Sequence, residues 1–296
     1  MSKTNKNYLN YVSYSISLFL ITFLLSCKTL TINDGVTRET PIVLNENAEF
    51  KDVEKPYKYI FIRLYNPDYT DPFYIANLLQ IGIYMTNIYP QLVVSHASIN
   101  FSLEDNFWGL TLTGRPQFSR EACSDISDNK YMNKCDPRDS QQLTYAIKVT
   151  EEEYYNAKAF VEEYARQEEI KYNTSINFQF AGFNIKRKFF TPKDHQLFGS
   201  IKYDSSTRED RLEFDPSYTE NNFVCSTFIA YVLNKNVASV NQYFNEQNIN
   251  YRYVNVNDIP YIPGIVHLFS STWDHYLDAV DLFVQKYPEF SAYLTE

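Results

Sequence analysis

The chain reads as an α+β domain in which an antiparallel sheet packs against a helix that opens with a cysteine. Three patterns predict this. Residues 93–101 alternate, with Val93, Ala97, Ile99 and Phe101 on one side and His96, Ser98 and Asn100 on the other, the period of a strand. Thr150-Glu151-Glu152-Glu153 is a capping box, followed by Tyr154, Ala157, Phe160, Val161 and Tyr164 at helical spacing. Residues 223–234, Phe-Val-Cys-Ser-Thr-Phe-Ile-Ala-Tyr-Val-Leu-Asn, form an apolar helix whose first turn holds Cys225.

From the N-terminus, Lys3 and Lys6 precede an apolar run over 12–25 that ends Leu24-Leu25-Ser26-Cys27. This resembles a bacterial lipoprotein signal: the run is short for a transmembrane helix, which needs about 20 apolar residues, and a small residue precedes the cysteine. On this reading residues 1–26 are a signal peptide and the mature chain starts at a lipidated Cys27, facing the periplasm or the cell exterior. An uncleaved signal anchor is the alternative. Residues 27–55 are polar and aperiodic and are expected to act as a tether that adds nothing to the core, leaving 56–296 as one domain.

Within that domain, 57–64 is a strand and 72–84 carries the helical spacing Ile75, Leu78, Leu79, Ile83. The His96 strand turns at Ser102-Leu103-Glu104-Asp105 into a return strand over 106–113, and 145–149 leads into the Thr150 helix. Residues 172–190 mix strand and loop signals, 204–222 read as an exposed loop, and 251–268 are irregular, with one or two short strands expected around Pro260 and Pro263. A final helix over 271–292 buries Tyr276, Ala279, Val280 and Phe283.

Composition narrows the function. With 26 Tyr and 22 Phe against 7 Gly, the chain describes an ordered globule. A net charge of −9, with no basic cluster beyond Lys186-Arg187-Lys188, argues against nucleic-acid binding. The three other histidines, His195, His267 and His275, have no cysteine or carboxylate at metal-ligand spacing, so no zinc site is expected. Neither Gly-x-Ser-x-Gly nor a glycine-rich phosphate loop occurs. Outside the cytoplasm the four cysteines divide naturally, Cys27 to lipid, Cys123 with Cys135 as a disulfide across a polar loop, and Cys225 to chemistry; two reduced thiols at 123 and 135 are the alternative.

A thiol in the first turn of a helix is favoured as thiolate by the unpaired N–H groups and partial positive charge there, and those same groups can hold an oxyanion. His96, on the polar side of its strand, is the candidate base. The order of Ser95-His96-Ala97-Ser98-Ile99, a hairpin strand ending Thr113-Gly114-Arg115, and the Cys225 helix resembles the circularly permuted NlpC/papain-like cysteine hydrolases of the YiiX type. The resemblance covers residues 57–237. It implies a papain-like fold, Cys225 as nucleophile, His96 as general base and acid, cleavage of an amide or ester bond, and no cofactor. The envelope location makes a cell-wall peptide the expected substrate, and the family also has members that act on lipids and acyl groups. The family's third polar residue has only Asn106, Thr111 and Thr113 as candidates on the following strand, and threonine orients an imidazole weakly. The rival expectation is a non-catalytic surface lipoprotein that binds a peptide or lipid in the same cleft.

Overall fold

The computed structural model describes residues 35–66, 94, 96–110, 118–121, 141–166, 171–172, 222–247, 249 and 251–294. Cys27, Cys123, Cys135, Thr111, Thr113 and the helix expected over 72–84 lie outside the described residues.

The architecture is mixed α and β. Among the described residues seven strands form one antiparallel sheet: β1 (Ile42–Leu44), β2 (Tyr57–Asn66), β3 (His96–Asn100), β4 (Phe107–Leu110), β5 (Phe118–Glu121), β6 (Gln141–Thr150) and β9 (Ile265–Thr272). Their spatial order is β1-β9-β6-β2-β3-β4-β5. Lys171–Tyr172 (β7) and Asn222–Phe223 (β8) form a separate parallel pair. Among the described residues the α-helices are α1 (Glu151–Arg166), α2 (Cys225–Asn236), α3 (Ala238–Glu246) and α4 (Tyr276–Lys286).

The register assigns the two faces of the sheet. Phe61 pairs with Asn100, Arg63 with Ser98 and with Thr144, and Tyr65 with His96, so Phe61, Arg63, Ser98, Asn100, Thr144 and His96 share one face. That face is covered by α4 and the 3-10 turn Pro288–Tyr293. Phe61 meets Phe290 and Tyr293, and Phe269 meets Tyr276 and Phe283. Here Arg63, 1% exposed, lies with its guanidinium 4.5 Å from the Phe107 ring centre and 5.4 Å from that of Tyr276, and donates to Asp105 at 2.8 Å.

The opposite face carries Ile60, Ile62, Leu64, Ala97 and Ile99, all buried. It is covered by α1 and α2. Tyr154 of α1 stacks edge-on against Phe101, sits under the Lys58 ammonium, and donates its hydroxyl to the Phe101 carbonyl at 2.7 Å. Helix α2 packs on α1 through Tyr164 against Phe228 and Tyr231, and through Phe160 against Tyr231.

The capping box forms as the sequence predicts. Thr150 Oγ1 accepts from the Glu153 N–H at 3.2 Å, and Glu153 Oε2 accepts from the Thr150 N–H at 2.9 Å. Glu153 Oε1 also accepts from the Ala238 N–H at 2.7 Å, tying the start of α1 to the start of α3. Thr150→Ala is expected to cost about 1 kcal/mol, read as a lower urea midpoint at unchanged slope.

Several expectations differ from the structure. The polar stretch before residue 56 is not merely a tether, because Ile42–Leu44 pairs with Phe269–Ser271 as an edge strand and Phe50 packs on Tyr59 and Phe290. Three residues are too few for alternation to register, and the partner strand lies far along the chain. The β6 strand begins at Gln141, earlier than the pattern suggests, since Gln141, Gln142 and Thr144 are polar yet buried. The last helix starts at Tyr276 because Ser270–Thr272 continue β9; its buried face is Tyr276, Ala279, Val280 and Phe283, as expected. The irregular 251–268 segment resolves into 3-10 turns at Tyr251–Tyr253 and Val256–Tyr261, and Gly264, at φ +88°, supplies the left-handed residue that admits the chain to β9.

Candidate functional site

Cys225 is the first residue of α2, and the backbone before it is fixed locally. Val224 is extended (φ −110°, ψ 169°), and Thr227 Oγ1 accepts its N–H at 2.9 Å and donates to its carbonyl at 3.1 Å. Valine has no side-chain acceptor, so no N-cap side chain takes up the first-turn N–H groups of α2. The thiol is free and 7% exposed.

Helix α2 runs antiparallel to α1. Its N-terminal end meets the C-terminal half of α1 through Phe228 and Tyr164, and its C-terminal end reaches Glu153 through Ala238. Glu153 lies at the end of the sheet where Tyr57 pairs with Thr150. Cys225 therefore lies toward the other end, the one where Tyr65 pairs with His96. Helix α2 also packs directly on β3. The structure thus brings the helix that opens with Cys225 against the strand that opens with His96, with both residues toward one end of the sheet. His96 is 8% exposed.

The side-chain directions add a constraint. By register His96 belongs to the face of Arg63 and Ser98, whereas α2 covers the face of Ala97 and Ile99. A working pair requires the imidazole to pass round the head of β3 to the α2 side. Strand alternation gives the side of the strand on which a residue sits, and says nothing of which helix layer covers that side.

Asn106 is not brought to this end. Ser98 pairs with Gly109 and Ile99 with Trp108, which sets Asn106 level with Phe101, five residues along the chain from His96, or about 16 Å. Asn106 is exposed in the turn that Arg63 and Asp105 secure. It therefore cannot orient His96.

A residue the sequence pattern does not single out reaches the head of β3. Asn257, in the turn Val256–Tyr261, is 1% exposed, and its Oδ1 accepts the Val94 N–H at 3.4 Å. The same turn packs on α2 and β9. The available signal was Asn255-Val256-Asn257-Asp258, polar residues set among buried apolar ones in a segment without period. The elements packed on α2 also bring Arg252, Asp258 and the half-buried Lys158 into the layer, while Glu162 and Glu163 of α1 are exposed. Among the described residues no group of His, Cys, Asp and Glu is arranged to hold a metal ion, and no helix is long and apolar enough to cross a membrane.

No family model, curated protein or solved structure matches the chain. Its chemistry rests on the residues themselves.

Proposed function

We propose that the domain is a cysteine hydrolase of papain-like, permuted NlpC-type architecture, carried on an envelope lipoprotein through Cys27. The observation that carries this reading is the packing of α2 on β3, with Cys225 and His96 as the first residues of the two elements. His96 takes the proton from Sγ, and the thiolate adds to the carbonyl carbon of an amide or ester. The tetrahedral oxyanion is held by first-turn N–H groups of α2, which no N-cap side chain occupies. Collapse expels the amine or alcohol, which receives the proton from the imidazolium. Water, deprotonated by His96, then releases the acid and restores the thiol. No cofactor enters any step. An envelope location makes a cell-wall peptide or a lipid acyl group the substrate class, with no role for nucleic acid.

One observation favours a second reading, binding without catalysis: His96 belongs by register to the sheet face opposite α2. The two readings part on thiol reactivity. In protein starting after Cys27, the hydrolase reading expects iodoacetamide to alkylate Cys225 well below pH 8.5, where a free thiol is mostly protonated, and His96→Ala to abolish that low-pH reactivity. A profile identical in both proteins would leave the binding reading.

A further inference from the structure

Resting on the hydrolase reading, we propose that Asn257 is a positioning residue for the thiol site, acting through Val94 to fix the head of the strand that carries His96. Its Oδ1 accepts the N–H of Val94, which precedes His96 by two positions in the sequence, at 3.4 Å. The turn that bears it is rigidly built. The Asn255 N–H donates to Asp258 Oδ2 at 3.0 Å, the Asp258 N–H donates to the Asn255 carbonyl at 2.9 Å, and Val256 and Ile259 are buried. That turn packs on α2, so Asn257 joins the layer of the nucleophile to the strand of the base.

A purely structural role explains the residue poorly. Asn257 Nδ2 is buried and finds no hydrogen-bond partner among the described residues. Burying half an amide unsatisfied is costly, and leucine, which has the same branched skeleton with methyl groups in place of the amide oxygen and nitrogen, would remove that penalty. What leucine cannot do is accept the Val94 N–H. An anchor at Val94 fixes where the chain enters β3, and so holds His96, the first residue of that strand, in place at the end of the sheet toward which α2 opens. This function is one that Asn106, beyond the far end of β3, cannot supply.

The test compares iodoacetamide alkylation of Cys225 across pH 5–9 in the unaltered protein, His96→Ala and Asn257→Leu, with a urea midpoint for each. Asn257→Leu is expected to fold and to lose about tenfold in alkylation rate at pH 6.5, so that its profile moves toward that of His96→Ala. If the Leu variant does not fold, Asn257→Ser, which draws the acceptor back from Val94, serves in its place and predicts the same displacement. A changed urea midpoint with a pH profile superimposable on the unaltered protein would overturn the inference while the hydrolase reading stands. Loss of the His96 dependence in the unaltered protein would overturn both.

Discussion

Asp105→Ala is expected to destabilise the domain by about 3 kcal/mol, because it removes the carboxylate partner of a buried cation. The Arg63 side chain is 2% exposed and that of Asp105 27%, so the partner that can be rehydrated is the carboxylate and the one that cannot is the guanidinium. The value sits at the lower end of the range for broken buried pairs for two reasons. The Asp105 backbone carbonyl, 3.4 Å from Arg63 Nη1, survives the substitution, and the rings of Phe107 and Tyr276 continue to face the cation. Arg63→Met is expected to cost less, since it removes the charge and keeps most of the volume. The double variant R63M/D105A should cost less than the two single changes summed. Urea unfolding of the unaltered protein, the two single variants and the double variant measures the coupling. A loss under about 1 kcal/mol for Asp105→Ala would mean that the pair is solvated and that the β3–β4 turn is held by other contacts.

The second large effect concerns chemistry. Cys225→Ser is expected to lower turnover of a chromogenic acyl ester by at least about 10³-fold while leaving the urea midpoint within about 1 kcal/mol, since oxygen replaces sulfur at nearly constant volume but is a far weaker nucleophile at neutral pH. Mass spectrometry of the unaltered protein quenched in acid should show the acyl group on Cys225. Ester turnover that survives in Cys225→Ser would assign any esterase activity to another residue and remove the nucleophile from the account.

Much of this arrangement is legible in the residues, and what is hidden has physical reasons. The capping box at Thr150 and Glu153 and the buried stripe of α4 are local signals, decided within one or two turns, and both form as the pattern predicts. The side of β3 on which His96 sits is also legible, because alternation is a property of the strand alone. Which layer lies over each side is not. That depends on α2 descending alongside α1 and on α4 closing the other face, contacts between segments far apart in the chain. The same reason hides β1, whose three residues acquire meaning only beside β9, and Asn257, which looks like a loop polar residue until the turn is seen against α2 and Val94. Polar residues at Gln141, Gln142 and Thr144 conceal the start of β6, since burial of both sides of a strand removes the alternation by which it is recognised.

The most direct test of the central claim, that Cys225 and His96 form one catalytic pair, is the NMR titration of the His96 imidazole before and after carbamidomethylation of Cys225. A paired thiolate stabilises the imidazolium, so alkylation, which removes the negative charge, should move the His96 midpoint to lower pH. A midpoint unmoved by alkylation would contradict the pair, leave His96 on its own face of the sheet, and make the domain a binding fold.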